Sequence, residues 1–314
     1  MATETPIELD AEYRQLREEA ALVRRPSVHT IEVRGADAVD FLESQLTNDI
    51  ASLEPGAGCY AALLDRKGHL QSDVRVLVID PDRVWLLAED SGAERLVAHL
   101  GLYRIGREVE VERIDLNVTS VIGPAAAVAS GIDRPGTEHS HHAVADGVRA
   151  IATAEGIDLL SAGSPSSALA GAELPEASEE AAEIVRVEAG RPRFGREMTA
   201  ETMPAEAGIV ERAVSFTKGC YIGQETVARL HYKGRPNRHL RGLVLTREAA
   251  AGAAVRLGDR ELGRIGTAVV SPKHGPIALA ILRREAEPGA RVEVGDAGGD
   301  AEVVALPFAS HAPG

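Results

Sequence analysis

The stretch KGCYIGQE, from Lys218 to Glu225, is the most informative part of this 314-residue sequence. It follows an alternating run that contains Val214 and Phe216, and this alternation predicts a strand. The residues after it, 226–229, predict a helix or a tight turn. Its two glycines indicate backbone positions with φ above zero, or a close approach of another part of the chain. The stretch is therefore predicted to join a strand to a helix or turn.

Cys220 lies at the centre of this stretch and is one of only two cysteines in the chain. If the segment is extended, residues i and i+2 face the same side, so Lys218 is expected beside the thiol. A neighbouring ammonium favours the thiolate, the form that attacks electrophiles and binds metals. The alternative is a buried, inert cysteine at a strand end, because free cysteines are usually buried. The residue types alone leave both interpretations open.

The composition is that of an ordinary globular protein with an acidic balance. The formal net charge of −14 argues against nucleic acid or an anionic membrane surface as the main partner. No apolar run reaches the roughly 20 residues of a membrane span, and the N-terminus lacks the pattern of a signal peptide. With only Cys59 and Cys220, a reducing cytoplasm fits better than a disulfide framework. Two thiols also cannot supply the usual four ligands of an iron–sulfur cluster.

The first three quarters of the chain mix helices with antiparallel strands. Alternating runs at 28–33, 59–64 and 70–79 predict strands, the last two as a hairpin. Helical spacing at 10–25 and 178–187 predicts two of the helices. This order is typical of the α+β class and not of a doubly wound parallel sheet.

The character of the sequence changes after residue 240. Short aliphatic runs there are separated by glycine, proline and charged turns, which predicts a small all-β module, a barrel. We place the boundary near 235–238. The sequence therefore predicts an α+β region over 1–235 and a C-terminal β-barrel domain over 236–314.

A histidine-rich segment at 133–146 raises the question of a metal. His139, His141 and His142 are close in sequence, with Glu138 or Asp146 as a further potential ligand. The spacing fits none of the usual zinc patterns, and no thiol is near. A solvated loop is the preferred interpretation, and no metal site is expected.

Four stretches together resemble the YgfZ-type proteins, namely RGADAVDFLESQLTNDI, GCYAALLDRKGHLQSDVRV, RVEAGRPRFGRE and KGCYIGQETVARL. These are relatives of the glycine-cleavage T-protein, an aminomethyltransferase that uses tetrahydrofolate. The match spreads over most of residues 25–245, and KGCYIGQE is highly specific to the YgfZ branch. The resemblance implies a GcvT/YgfZ-like three-lobed arrangement of antiparallel sheets with helices, plus the barrel. Residues 1–235 would then be a folate-binding GcvT-like region made of two intertwined α+β lobes. It also implies a role in making or repairing iron–sulfur clusters in client proteins such as radical-SAM tRNA-modifying enzymes.

The resemblance also implies site residues. Glu188 looks like the T-protein carboxylate that binds the pterin, because one carboxylate can accept two adjacent pterin N–H donors. The alternative is a surface glutamate near a helix end. Asp73 falls where the T-protein has its catalytic aspartate, although Ser72 stands where that protein has a second acidic residue. Tyr60 resembles a channel-lining tyrosine, and a buried strand tyrosine is its alternative.

The remaining assignments complete this expected site. Cys220, Lys218 and Asp73 are expected to carry the chemistry, while Tyr221 and Glu225 are expected at the cofactor. Arg229 opens a basic run whose guanidinium groups suit the glutamate tail of a folate, since arginine pairs carboxylates bidentately. The alternative is a solvated linker face. That run comprises Arg229, His231, Lys233, Arg235, Arg238 and Arg241.

Three functions follow from these residues and the resemblance. The first is a monomeric, cytoplasmic, tetrahydrofolate-binding factor for iron–sulfur cluster assembly or repair, in which Cys220 is essential. The second is a folate-dependent aminomethyltransferase or C1 transferase of the T-protein class, which Asp73 keeps open. The third is a scaffold that binds client proteins without folate and leaves Glu188 unexplained. Whether the protein is an enzyme stays open at this point.

Overall fold

The computed structural model describes residues 6–295 and 299–308. The chain forms two compact units, and each is discontinuous in sequence. Unit 1 comprises the described residues of Met1–Ala182 and Arg212–Gln224. Unit 2 comprises those of Glu183–Glu211 and Glu225–Gly314. The chain therefore leaves unit 1, enters unit 2, and returns before unit 2 is finished.

Unit 1 holds ten strands among its described residues. In chain order they are β1 Ala21–Arg24, β2 Val28–Arg34, β3 Gly58–Leu64, β4 Leu70–Asp80, β5 Arg83–Glu89, β6 Glu110–Ile114, β7 Asn117–Ile122, β8 His141–Ala145, β9 Val148–Ala152 and β10 Gly156–Ser161. They form two five-stranded antiparallel sheets, ordered β3-β4-β5-β2-β6 and β1-β7-β10-β9-β8.

The helices of the described chain are short to medium in length. They are α1 Pro6–Glu18, α2 Ala38–Gln45, α3 Asp90–Tyr103, α4 Ala126–Ser130, α5 Glu179–Glu188, α6 Val210–Ala213 and α7 Gln224–Lys233, with a 3-10 turn at Pro165–Ser167. Ser178 caps α5, since its Oγ accepts the Ala181 N–H at 3.1 Å. No described helix is both long and apolar enough to cross a membrane.

The β3–β4 hairpin sets which side chains of β4 face the core and which face the other side of the sheet. Along β4, Val74 and Val76 are buried in the core that α2 and α3 cover. Because successive strand residues face opposite sides, Asp73 and Arg75 lie on the other face of the sheet. Further along, Leu77 packs with Ile151 of the second sheet, so the two sheets of unit 1 share a core.

Unit 2 is built on a closed antiparallel barrel in the order β11-β14-β13-β12-β15-β16. Its strands are β11 Arg238–Leu245, β12 Ala254–Leu257, β13 Arg260–Ser271, β14 Gly275–Arg283, β15 Arg291–Val294 and β16 Gly299–Val304. Aliphatic side chains such as Leu243 and Ile265 fill it. The predicted α+β class, with antiparallel sheets and a C-terminal barrel, is confirmed.

Three local predictions are wrong. The helix expected over 10–25 ends at Glu18, because residues 21–24 pair with β7 as a strand. The strand expected at 214–216 does not form, since the Ser215 N–H is bonded to the Thr47 carbonyl at 3.0 Å and not to a strand ladder. The solvated loop expected over 133–146 is replaced at its end by β8, where His141 is buried.

Candidate functional site

The loop 214–223, which connects α6 to α7, carries the KGCYIGQE stretch as far as Gly223. Lys218 anchors this loop, and its side chain is only 1% exposed. Its ammonium donates to three backbone carbonyls, those of Glu43 at 2.7 Å, Leu46 at 2.9 Å and Asn48 at 2.7 Å. A carboxylate oxygen of Glu43 lies 3.2 Å away.

The Lys218 ammonium therefore caps the C-terminus of α2. An ammonium has three donors, and all three are used by carbonyls at or just beyond the end of that helix, where a cation is favoured. Burial lowers the pKa of Lys218, and Glu43 opposes this shift. Lys218 was expected beside the Cys220 thiol on an extended strand. The loop is not a strand, and the ammonium is bonded to the α2 end instead.

Cys220 itself is exposed. The residues around it hold the loop down, because Tyr221 is buried with the Lys218 ammonium 5.5 Å from its ring centre. Burial raises the pKa of Tyr221 to about 12. Gly223 has φ of +84°, and a Cβ placed there would lie 2.6 Å from the carbonyl oxygen of Asp65. The loop is thus anchored on both sides of a thiol that faces solvent.

Tyr60 and Asp73 form a second group of site residues in unit 1. Tyr60 on β3 pairs with Arg75 on β4, so Asp73 is its diagonal neighbour on the same face. The Tyr60 hydroxyl donates to Asp73 Oδ2 at 2.9 Å. The structure therefore brings these two predicted residues together.

Two residues that the sequence did not suggest as neighbours of Tyr60 lie against its ring. The Arg212 guanidinium stands 4.9 Å from the ring centre and pairs with Glu138 at 3.0 Å. The His139 ring stacks on Tyr60 with centroids 6.5 Å apart and 23° between the planes. His139 has φ of +71°, which is uncommon for a residue with a side chain. Nothing local in the sequence signalled either contact.

Both buried histidines of this region are held neutral. Burial lowers the pKa of His139 to about 4, and Arg75 adds to the effect. Burial likewise lowers the pKa of His141 to about 4, with a contribution from Arg149. His141 Nε2 is 3.2 Å from the Ala57 carbonyl, and Arg149 is 2.8 Å from its Nδ1. These rings are therefore part of the core, and the described residues hold no group of three side chains that could bind a metal.

Glu188 belongs to unit 2, at the last turn of α5. It is buried, so the interpretation as a surface residue is wrong. Its Oε1 accepts the Ser271 hydroxyl at 2.6 Å. Ser271 Oγ in turn accepts the N–H groups of Lys273 and His274, each at 3.0 Å, which turns its proton toward Glu188. Ser271 is a third residue that the sequence did not suggest.

The other predicted cofactor residues lie on or after α7. Glu225 and Arg229 are exposed and one helical turn apart on α7. Within the basic run, Arg238 is paired bidentately with Glu206 at 2.9 Å, and Arg241 donates to the Ala286 carbonyl. The exposed part of the run therefore comprises its first four members, from Arg229 to Arg235.

Comparisons with known proteins relate this chain to a family. Residues 5–132 match the GCVT N-terminal domain. An uncharacterized protein from Haemophilus influenzae is 30% identical over 213 residues, which cover 66% of this chain and 68% of that protein. An aminomethyltransferase from Corynebacterium aurimucosum is 28% identical over an alignment of 342 residues, covering 97% of this chain and 92% of that protein.

A solved structure shares the fold over nearly the whole chain. It is the glycine cleavage system aminomethyltransferase T from Bartonella henselae, with a TM-score of 0.85 and 23% identity, covering 98% of this chain and 91% of that one. The predicted GcvT-like fold is confirmed by this likeness. Together with the sequence matches, it shows that the chain belongs to the GcvT-like family.

Proposed function

We propose that this protein binds tetrahydrofolate and serves the assembly or repair of iron–sulfur clusters, with Cys220 as its reactive group. The observation that carries the proposal is the exposed thiol on a loop whose neighbouring side chains, Lys218 and Tyr221, are both buried. The resemblance of KGCYIGQE to the YgfZ-type proteins supplies the iron–sulfur role. Client iron–sulfur proteins, for example radical-SAM tRNA-modifying enzymes, are the proposed partners of a cytoplasmic monomer.

The anchoring gives the thiol properties that a functional group needs. A reactive side chain must reach its target, and it must also point in a fixed direction. Cys59 provides the contrast within the same unit. Burial raises the pKa of the Cys59 thiol to about 12, so this cysteine stays protonated and unreactive at neutral pH. Of the two cysteines, Cys220 is the more exposed.

Glu188 fits the proposed folate on chemical grounds. It is a buried carboxylate, and Ser271 fixes one of its oxygens. A carboxylate can accept paired N–H donors from a pterin ring, and such charge-assisted bonds are strong inside a protein. When bound, tetrahydrofolate supplies a carrier for one-carbon units. This chain's contribution would be to bind and orient the ring through Glu188.

Calorimetry with tetrahydrofolate tests this assignment. Glu188→Gln keeps the shape but turns an acceptor oxygen into a donor that meets another donor. We expect a loss of about 2–3 kcal/mol, roughly 30- to 150-fold in affinity. Glu211→Gln, on an exposed residue of unit 2, is the control and should bind as the wild type does. Equal affinity in all three proteins would remove Glu188 from the site, and absence of binding to the wild type would remove folate.

A complementation experiment tests the role of the thiol. A strain that lacks the gene receives the wild type, Cys220→Ala or Cys59→Ala, and iron–sulfur enzyme activities are scored. We expect Cys220→Ala to fail and Cys59→Ala to complement, provided that both accumulate to wild-type levels. Complementation by Cys220→Ala would contradict the proposed role.

The Tyr60–Asp73 hydrogen bond favours a second candidate, a folate-dependent aminomethyltransferase or C1 transferase. A positioned aspartate on this strand is what the T-protein class uses, and a relative that aligns with 97% of this chain is named an aminomethyltransferase. Formation of methylene-tetrahydrofolate by the purified protein, lost in Asp73→Asn, would establish this activity. Folate binding without turnover would leave the first proposal in place.

A further inference from the structure

Strand β3 is an edge strand of its sheet, and its free edge is covered by the segment 46–48. Leu46 forms an antiparallel bridge with Leu63. The Thr47 N–H donates to the Ala62 carbonyl at 3.1 Å, and the Ala62 N–H donates to Thr47 Oγ1 at 2.9 Å. An uncovered edge would offer these backbone groups to other chains. The segment therefore satisfies the outer side of the strand that carries Tyr60.

On the side away from β3, Thr47 bonds to residues 213–215, at the start of the loop that carries Cys220. Its hydroxyl, which is completely buried, donates to the Ala213 carbonyl at 2.5 Å. Its own carbonyl accepts the Ser215 N–H at 3.0 Å. The Thr47 hydroxyl thus accepts from β3 and donates to the segment 213–215, so both halves of its hydrogen-bonding capacity are used.

Asn48 repeats this arrangement one residue later. Its Nδ2 donates to the Tyr60 carbonyl at 2.8 Å and to the Arg212 carbonyl at 3.0 Å. Its Oδ1 accepts the Asp49 N–H at 2.9 Å, and its carbonyl accepts Lys218. One amide hydrogen of Asn48 therefore goes to the backbone of Tyr60 on β3, and the other goes to the backbone of Arg212. The Arg212 guanidinium also lies over the Tyr60 ring.

We propose that Thr47 and Asn48 are positioning residues that hold the loop carrying Cys220 in a fixed position relative to Tyr60. Two adjacent side chains bond to β3 on one side and to residues 212–213 on the other. A fully satisfied buried polar network specifies one arrangement, whereas apolar contacts tolerate sliding. The thiol and the Tyr60–Asp73 pair are thereby parts of one rigid assembly within unit 1. The functional consequence rests on the role proposed for Cys220.

Hydrogen exchange of the amides in 213–219 tests the positioning directly and needs no ligand. Thr47→Val keeps the shape but removes the hydroxyl, and Asn48→Asp places an oxygen against two carbonyl oxygens. We expect both to speed exchange of these amides by about tenfold or more, as local opening becomes easier. Thr47→Ser keeps the hydroxyl and should exchange like the wild type. Unchanged exchange in Thr47→Val and Asn48→Asp would overturn the proposal.

Complementation then tests whether the fixed position of the Cys220 loop matters for function. We expect Thr47→Val and Asn48→Asp to fail as Cys220→Ala does, and Thr47→Ser to succeed. Ile31→Val, a mild core substitution in the same unit, controls for lost stability and should complement. If Cys220→Ala fails while both loosened variants complement fully, the functional consequence is refuted. If Cys220→Ala complements, the proposed function fails, and hydrogen exchange alone decides whether Thr47 and Asn48 hold the loop.

Discussion

Unit 1 and unit 2 each bury a basic side chain, and they satisfy it in different ways. In unit 1, Lys218 bonds to three backbone carbonyls and has one carboxylate nearby. In unit 2, Arg186 bonds bidentately to Glu183 at 2.7 and 2.8 Å and also reaches Glu197 at 3.0 Å and Thr267 Oγ1 at 3.0 Å. The first cation is held mainly by dipoles and the second by full charges.

The pKa shifts of the two groups follow this difference. Burial lowers the pKa of Lys218, and Glu43 offsets only part of that cost. Burial also disfavours the charged form of Arg186, but its bonds to Glu183 and Glu197 outweigh that cost and raise its pKa. Arg186 is therefore part of a rigid ionic scaffold. Lys218 fastens a loop to a helix end, which positions the exposed residue two places later.

The largest effect is expected for Arg186→Met. Removing the cation takes an ion pair from the fully buried Glu197 side chain and another from Glu183, which keeps its pair with Arg193. Such a loss costs about 3–5 kcal/mol of unfolding free energy. Denaturant unfolding of unit 2 measures it, with Arg264→Met on an exposed ion pair as a control that should stay within about 0.5 kcal/mol. A small loss for Arg186→Met would mean that carboxylates and carbonyls stabilise a buried cation equally well.

Acid should destabilise unit 1 through its buried histidines, because burial and neighbouring arginines disfavour their charged forms. The pKa values of His139 and His141 are about 4 in the fold, below the usual value near 6.5. The unfolded chain therefore binds more protons between these values, and stability falls as pH drops from 6.5 toward 4. We expect about 4 kcal/mol of unfolding free energy to be lost for the pair between pH 7 and pH 5.

Thermal or urea unfolding across this pH range measures the slope. His139→Asn should reduce the slope by about half, because one of the two titrating groups is gone. A slope that does not change in this variant would show that other groups set the acid sensitivity.

A smaller loss is expected for Lys218→Met. The substitution leaves three neutral carbonyls at the α2 end without their donor and removes the ion pair with Glu43. The Glu43 carboxylate keeps the N–H groups of Ile50 and Ala51, so the cost is smaller than for the fully buried Glu197. We expect about 2 kcal/mol of unfolding free energy, with faster exchange of the loop amides. Lys67→Met, on an exposed turn of the same unit, serves as the control. A loss as large as that of Arg186→Met would remove the distinction between the two sites.

The smallest effect is expected for Cys220→Ser. The thiol is exposed and the replacement is nearly isosteric, so unfolding free energy should change by no more than about 1 kcal/mol. Chemical denaturation compares it with Cys59→Ser, which introduces a hydroxyl into a mostly apolar setting and should cost more. A larger loss at Cys220 would mean that the thiol supports the loop.

The elements with local signals could be predicted from the sequence. The alternating runs at 59–64 and 70–79 predicted a hairpin, and β3 and β4 form it. The helical spacing over 178–187 predicted α5, and the closely spaced aliphatic runs predicted the barrel. In each case the physical cause lies within a few residues of the effect.

The contacts that define the site lie far apart in sequence. The carbonyls that bind Lys218 are 170 to 175 residues earlier in the chain, so no local pattern could indicate them. The alternation of Val214 and Phe216 suggested a strand, but the Ser215 N–H is bonded to Thr47 instead. Ser271 and Arg212 gave no signal, because their roles depend on partners brought near by the fold.

The segment 46–48, which covers the β3 edge, is synthesised long before its hydrogen-bond partners in residues 212–215. Residues 46–48 and β3 are synthesised early, whereas Ala213 and Ser215 follow about 150 residues later, after roughly 8–30 seconds of translation. Until then the Thr47 hydroxyl and the Asn48 amide have no partners from the later segment. The segment that completes unit 1 is also the one that carries the thiol. The Cys220 thiol is therefore synthesised after almost all of the other residues of unit 1.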